Sequence, residues 1–168
     1  EDKKADGIKV SEKQYTDLKE VIYKPLENYT VGRNEITGGT VSPSYISPIQ
    51  GLQRLQRIMD EYVGGIATNY MTNENMLNRG LELLKWLEED LENVGAEDYH
   101  QLMRAWELKH RTITSQCVTE HTKFRKETRW PGYYYRGDHL KLDDENLCAL
   151  PPTVSPAPNK PSIVSILL

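Results

Sequence analysis

Apolar residues recur at intervals of three and four along most of the chain, a period that predicts amphipathic α-helices. The first helix begins after Ser11, which can cap it while the Gln14 side chain reaches back to the cap. Pro25 should end or kink this helix, so residues 1–29 are assigned to an N-terminal helix. Across residues 30–47 the period disappears among glycine, proline, serine and threonine, which predicts a long extended loop.

Two more helices have clear start and stop residues. Ser47-Pro48-Ile49-Gln50 combines a cap, a proline in the first turn and a glutamine three residues after the cap, and Gly64-Gly65 ends the helix that follows. Thr72 or Asn73 caps the next helix, and Gly95 is a natural stop after it. The boundaries of both helices are therefore set by local chemistry.

The last predicted helix runs from about residue 97 to residue 128. It and the two helices before it each carry an apolar stripe at helical spacing, which we expect to face the core. In chain order, the stripes consist of Ile49, Leu52, Leu55, Met59 and Tyr62; of Met76, Leu77, Leu81, Leu84, Leu87 and Leu91; and of Tyr99, Met103, Trp106, His110, Ile113, Cys117, His121 and Phe124.

The sequence shows no strand pattern and no internal repeat. We therefore expect a mainly α fold, an antiparallel three- to four-helix bundle with a long N-terminal loop and an irregular C-terminal tail. Residues 48–146 make up the helical domain. Residues 147–168 contain five prolines and one charged residue, and we expect this tail to be disordered, or to result from a reading-frame change after Asn146.

Composition and charge narrow the class of protein. A length of 168 residues is enough for one domain with a core, and a net charge of −4 argues against a general nucleic-acid-binding protein. No segment resembles a secretory signal, and the apolar end at Ser162–Leu168 is too short to span a membrane. Cys117 and Cys148 are too few for a disulfide framework, which favours a reducing compartment.

His110, Cys117 and His121 fall on one face of the last helix, at offsets of seven and four residues. A cysteine beside a histidine can act as a nucleophile with its base, or such side chains can bind a metal ion. The same residues can equally be polar edges of a core stripe, and only His100 or His139 could supply further ligands. A small metal or thiol enzyme is therefore one hypothesis. The sequence contains no Gly-rich phosphate loop of recognised spacing.

The densest group of basic and aromatic residues lies at the end of the last helix, in Arg125–His139. Pro131 and Gly132 stop the helix there, and three tyrosines follow directly. Rings of this size are seldom all exposed without a partner, and arginine among aromatic rings can stack or bind a carboxylate or phosphate. The segment therefore either docks on a partner or an anionic ligand, or forms a packed turn that anchors the bundle.

Several segments closely resemble the C-terminal part of the alpha subunits of dissimilatory adenylylsulfate reductase. The layout is more distantly similar to the helical C-terminal domain of the fumarate reductase and succinate dehydrogenase flavoproteins. The resemblance covers roughly residues 9–146. It rests on Val41–Leu52, Tyr62–Gly65, Leu81–Leu91, Arg104–Glu107, Lys126–His139 and Asp143–Asn146.

This resemblance implies a function for a larger subunit. Such a subunit contains FAD and reduces adenylylsulfate to sulfite and AMP, with electrons from an iron-sulfur beta subunit that carries [4Fe–4S] clusters. The flavin-binding and substrate-binding parts of the family precede the matching segment and have no counterpart in this sequence. No catalytic, FAD-binding or metal-binding residue is therefore assigned, and the chain alone should be inactive.

The resemblance also implies where the helical part makes its contacts. It would pack on the FAD-binding domain of the same subunit and take part in the subunit contact, where we expect Arg129, Trp130, Arg136 and His139. The alternative is a free-standing helical interaction module without catalysis, which would bind a partner through the tyrosine-rich segment.

Overall fold

The computed structural model describes residues 11–34, 45–129 and 134–147. Two compact units can be distinguished: the first is Glu1–Leu52 with Asp90–Lys109, and the second is Gln53–Glu89 with His110–Leu168. The predicted mainly α class is confirmed, and none of the described helices is long and apolar enough to cross a membrane.

The elements in chain order are α1 (Glu12–Asn34), α2 (Pro48–Tyr62), a 3₁₀ turn (Ile66–Thr68), β1 (Met71–Thr72), α3 (Glu74–Asp90), a 3₁₀ turn (Leu91–Asn93), α4 (Tyr99–Phe124), β2 (Tyr135–Arg136) and α5 (Asp144–Leu147).

The first three helices begin where their capping residues predict. The Ser47 N–H donates to the Gln50 side-chain oxygen over 2.9 Å, and the Gln50 N–H donates to the Ser47 hydroxyl over 3.3 Å. Ser11 and Gln14 form the same reciprocal pair at the start of α1. Of the two candidate caps of α3, Asn73 is the one used, because its side-chain oxygen accepts a backbone N–H of the first turn over 3.0 Å.

In the first unit, α1 forms hydrogen bonds with the segment that follows α3. The Asn28 side-chain amide donates to the carbonyls of Glu92 and Val94, over 3.1 and 3.0 Å. A single parallel bridge joins Ile46 to Val94, and the Gly95 N–H donates to the Ile46 carbonyl over 2.9 Å. The buried apolar side chains of this unit are Leu91, Val94, Ala96, Leu102, Ala105 and Leu108.

The helix α1 continues to Asn34 with Pro25 inside it, so the prediction that it ends near Pro25 is wrong, and so is the predicted start of the loop at residue 30. Proline lacks the N–H that completes the helical ladder and crowds the preceding turn. Donors from elsewhere in the unit bind carbonyls close to the proline: the Trp106 indole N–H donates to the Ile22 carbonyl over 3.0 Å, and the Ala96 N–H donates to the Pro25 carbonyl over 2.8 Å. These tertiary hydrogen bonds attach this part of the helix to the rest of the unit.

Two predicted segments fall largely outside the described residues. Of the expected loop at 30–47, residues 35–44 are not described, and residues 45–47 are irregular apart from the bridge at Ile46. Of the expected tail at 147–168, only Leu147 is described, and it is the last residue of α5.

In the second unit, two segments that are far apart in the sequence pair side by side. β1 and β2 are parallel, with Met71 opposite Tyr135 and Thr72 opposite Arg136. The Thr72 hydroxyl donates to the Tyr62 carbonyl at the end of α2, over 2.7 Å. Strands of two residues are too short to show the alternation by which a strand is recognised in a sequence, so neither was predicted. The buried apolar side chains of this unit are Leu55, Ile58, Val63, Leu77, Leu84 and Leu87.

The apolar stripe predicted for α4 does not face the core as expected. Tyr99, Met103 and Phe124 are 74%, 52% and 59% exposed, and His110 and Cys117 are exposed as well. Other positions of α4 are buried in their place, and several of these carry small or β-branched side chains, which allow close packing. The helical period was predicted correctly, but large side chains were given too much weight in choosing the buried face. The buried positions of α4 are Leu102, Ala105, Leu108, Thr112 and Thr119.

We predict that Gly65→Ala destabilises the protein by about 1–3 kcal/mol, the usual cost of overpacking. An alanine Cβ at this position would lie 2.5 Å from the Asp60 Cα, and no side-chain rotation relieves a clash with backbone. Urea unfolding followed by circular dichroism measures the change.

Gly137→Ala is the matched control for this substitution. Its Cβ would lie 3.4 Å from the Met71 sulfur, an ordinary contact, so the free energy of unfolding should change by less than about 1 kcal/mol. Equal losses in the two variants would contradict the prediction.

Candidate functional site

The basic and aromatic segment singled out in the sequence folds into a turn at the end of α4. We call it the C-terminal corner and define it as residues 125–129 and 134–144. Arg136 lies at its centre, with 1% of its side chain exposed. The segment is therefore built around a buried cation, which must be paired and hydrogen-bonded to be tolerated.

The Arg136 guanidinium caps the C-terminal end of α4. Its Nη1 donates to the carbonyls of Thr122, Lys123 and Arg125, over 2.5, 3.3 and 3.0 Å. Carbonyls at the end of a helix have no helical partner, and a cation there also interacts favourably with the helix dipole. This cap explains why α4 ends at Phe124, one turn before the predicted end at residue 128.

Asp138 neutralises the buried charge of Arg136. Nε and Nη2 of Arg136 donate to the two carboxylate oxygens of Asp138 over 3.0 and 2.9 Å, which makes a bidentate pair. Asp138 also accepts the Glu74 N–H at the first residue of α3, over 2.9 Å. The hydrogen bonds from Arg136, against the opposing effect of burial, lower the pKa of Asp138 to about 2. One ion pair thus joins the C-terminal end of α4 to the N-terminal end of α3.

Glu127 is a second buried charge in the corner, with 1% of its side chain exposed. Arg129 donates to both of its carboxylate oxygens over 2.9 Å, and Arg125 donates to one of them as well. The Asp143 N–H adds a further hydrogen bond over 3.0 Å. Burial by itself would raise the pKa of Glu127, but these donors together lower it to about 2. Arg129 also reaches Asp144 over 3.1 Å, so the ion network extends to the surface.

Thr128 fixes the path of the chain between the two buried acids. Its hydroxyl donates to the His139 carbonyl over 2.8 Å and accepts the Arg136 N–H over 3.0 Å. Its own N–H donates to the Lys141 carbonyl over 3.2 Å. A buried polar network whose members satisfy one another is rigid and specifies one arrangement.

The structure brings together three of the four residues predicted at a subunit or domain contact. Arg129, Arg136 and His139 all belong to the C-terminal corner, whereas Trp130 lies outside the described residues. Arg136 is an internal cap, so its guanidinium is not on the surface that a partner would touch. Arg129 and His139 keep 24% and 34% of their side chains exposed. The contact with a subunit or domain stays a prediction, and the exposed parts of the Arg129 and His139 side chains are the groups available to make it.

The structure gives no support to a metal or thiol site on α4, since His110 and Cys117 are exposed. In the part of the chain that is described, the side chains of metal-binding type that come within 4.8 Å of one another are those of Glu74, Asp138 and His139. Asp138 is already neutralised by the buried guanidinium, so we interpret this group as part of the ion network of the corner.

Sequence reasoning missed Glu127 and Asp138, the two acids on which the corner depends. The sequence feature that could have revealed Glu127 is its position between Arg125 and Arg129. In an extended segment every second side chain points the same way, so these three charged side chains lie on one side of the chain. Treating residues 125–128 as the end of a helix concealed this two-residue spacing.

Comparison with known proteins relates the chain to a flavoprotein family. Residues 52–162 match the family model described as fumarate reductase flavoprotein C-term. The chain is 44% identical over 128 residues to the adenylylsulfate reductase subunit alpha of Megalodesulfovibrio gigas, which covers 76% of this chain and 19% of that protein. It is 29% identical over 94 residues to an uncharacterized FAD-dependent oxidoreductase of Methanocaldococcus jannaschii, which covers 56% and 16%.

Solved structures agree with these relatives. Adenylylsulfate reductase from Archaeoglobus fulgidus matches with a TM-score of 0.78 and 53% identity, over 82% of this chain and 22% of that one. Adenosine-5-phosphosulfate reductase in complex with sulfite, as a covalent adduct, matches with the same values. The chain thus spans about a fifth of the length of these reductase chains.

We predict that Arg136→Met lowers the free energy of unfolding by about 1–3 kcal/mol, because the last carbonyls of α4 lose the donor that caps them. Asp138, whose side chain is 28% exposed, loses its partner as well. Arg57→Met is the matched control: the Arg57 side chain is 79% exposed and pairs with Glu61 on the helix surface, so its loss should cost less than about 0.5 kcal/mol. Chemical denaturation of both variants measures the change in the free energy of unfolding. Similar decreases in the two variants would refute the role of Arg136 as a cap.

The two lowered carboxyl pKa values predict that the protein loses stability in acid. Glu127 and Asp138 both titrate at about 2 in the folded chain, below their ordinary values. The unfolded chain therefore binds more protons in acid, so this stabilising contribution is complete above roughly pH 5 and is lost as the pH falls towards 2.

Glu127→Gln should be less stable than the parent at pH 7 and should show a weaker pH dependence across this window, because glutamine does not ionise. Urea unfolding at a series of pH values measures both effects. Glu89→Gln, at an exposed position of α3, is the control and should keep the parental pH dependence. A Glu127→Gln curve parallel to that of the parent would count against the prediction.

Proposed function

Because the chain belongs to the family of fumarate reductase flavoprotein C-terminal domains, we propose that it is the C-terminal helical part of the alpha subunit of an adenylylsulfate reductase. The observation that carries this proposal is the match to the Archaeoglobus fulgidus enzyme, at 53% identity and a TM-score of 0.78 over 82% of this chain. Identity of that level across most of the chain supports a shared role in addition to a shared fold.

The proposed whole enzyme reduces adenylylsulfate to sulfite and AMP, and FAD supplies the redox chemistry when bound. The described residues do not fit FAD by themselves. Their two strands are two residues long, too short for the sheet of a dinucleotide-binding fold, and the sequence has no Gly-rich phosphate loop. The FAD would therefore be held by a part of the subunit outside this chain.

The electrons would come from an iron–sulfur beta subunit. A [4Fe–4S] cluster is held by four cysteine thiolates, and this sequence contains two cysteines in total. The clusters would therefore belong to that partner and not to this chain. The resemblance to the adenylylsulfate reductase family also leads us to place the enzyme in the cytoplasm.

The contribution of this chain to such an enzyme would be structural. The C-terminal corner holds the ends of α3 and α4 together, and it keeps Arg129 and His139 partly exposed. These two residues, with Trp130, would lie at the contact with the FAD-binding domain or with the beta subunit. A free-standing interaction module is less well supported, since the relatives are about five times as long as the matched segment.

A chimeric enzyme tests the proposal. The 168-residue chain replaces the matching segment of the Archaeoglobus fulgidus alpha subunit, which is then assembled with its iron–sulfur subunit. We expect the chimera to retain flavin and to form sulfite and AMP from adenylylsulfate, with reduced methyl viologen as the donor, within roughly tenfold of the parent rate, because the segment carries no catalytic group.

The matched control is the same chimera with Arg136→Met, which should lose flavin or fail to assemble because the corner is no longer fixed. Two results would refute the proposed function. One is a folded chimera that retains flavin and forms no sulfite. The other is a flavin spectrum, or turnover of adenylylsulfate, from the 168-residue chain alone.

A further inference from the structure

The turn that follows α2 contains two consecutive residues in a strained backbone conformation. Asn69 and Tyr70 have φ values of 52° and 61°, in the left-handed region that favours glycine. Asparagine tolerates this region, but it is unusual for a residue as bulky as tyrosine. Strain of this kind persists only where the surroundings enforce it, and it occurs most often at functional surfaces.

Hydrogen bonds on both sides hold this turn in place. The Gly65 carbonyl accepts the N–H groups of Thr68 and Tyr70, over 3.2 and 2.9 Å. The Asp60 carboxylate accepts the Ala67 N–H over 3.2 Å. At the far end, the Tyr70 carbonyl accepts an N–H from β2 over 2.8 Å. The backbone of the turn is therefore held in one conformation by these hydrogen bonds.

The turn presents large apolar side chains to solvent. Ile66, Tyr70 and Met71 are 74%, 45% and 47% exposed. No charged residue occurs between Val63 and Asn73. We call Ile66, Tyr70 and Met71 the turn patch. Because the backbone of the turn is already ordered, binding does not have to order a loop, and an apolar patch of this kind is typical of the core of a permanent interface.

We propose that the turn patch is the docking surface for the cofactor-holding remainder of the same subunit. This inference rests on the proposed function. The reductase chains that it matches are about five times as long, so most of the folded subunit lies outside these residues and must cover some face of them. An uncharged patch fits an apolar groove on that larger body, because obligate interfaces are more hydrophobic than transient ones.

Site-specific photo-crosslinking in the chimeric enzyme tests this surface. p-Benzoylphenylalanine replaces Ile66, the most exposed residue of the patch, or Val118, which is 45% exposed on α4 and serves as the control. After illumination, mass spectrometry should find the position-66 crosslink within the same alpha subunit, outside the 168-residue segment. A crosslink to the iron–sulfur subunit or to a second alpha subunit would overturn the proposal, and so would equal yields at both positions.

The 168-residue chain alone provides a second test that does not depend on assembly of the chimera. With the crosslinker at position 66, the chain should give no covalent dimer at micromolar concentration, because the proposed occupant is not a second copy. Covalent dimers would overturn the proposal.

A paired substitution measures the energetic role of the patch in the chimera. Ile66→Asn together with Met71→Asn should lower the midpoint of thermal flavin release by about 3 °C or more, whereas Val118→Asn should leave it unchanged. Failure of the docking surface and failure of the proposed function give different results. If the chimera forms sulfite but gives no position-66 crosslink, only the proposed docking surface is disproved. If it crosslinks as expected but forms no sulfite, only the proposed activity is disproved.

Discussion

The second unit depends on one interaction, the ion pair between the buried Arg136 and Asp138. The guanidinium binds the end of one helix and the carboxylate binds the start of another, so each charge meets the helix end of opposite sign. Such a pair does not stabilise through attraction alone, because desolvating the Arg136 charge offsets part of the attraction. Its effect is to specify one arrangement, since only one path of the chain satisfies both groups. β1 is held in the same way, because it pairs with the strand that contains Arg136.

Local chemistry made the helix starts predictable. Ser47 and Gln50 satisfy each other within one turn, so the sequence of that turn contains all the information needed. Pro25 is the opposite case. The helix continues through it, and the hydrogen bonds that attach this part of the helix come from donors such as the Trp106 indole, which lies 84 residues from its acceptor along the chain. The buried face of α4 was misjudged for a related reason: the burial of Thr112 follows from what packs against it and not from its own hydrophobicity.

The C-terminal corner was predictable as a location, but the roles of its residues were not. Arginine and tyrosine concentrated in Arg125–His139 marked the segment. Composition alone, however, could not show whether an arginine faces a partner or the end of its own helix. Burial distinguishes the two cases: Arg136 is enclosed, whereas Arg129 keeps part of its side chain at the surface. The family resemblance could be recognised because it relied on a long, specific run of residues that needed no account of individual roles.

The separation of these partners along the chain has a consequence for biosynthesis. The Asp138 carboxylate lies 64 residues after the Glu74 N–H that it accepts. The ribosome therefore synthesises α3 well before this acceptor, and the strand that pairs with β1 emerges equally late. Contacts between distant residues slow folding, and incomplete intermediates expose apolar surface that invites aggregation. The packing of the second unit can therefore be completed only after the segment around Asp138 has been synthesised.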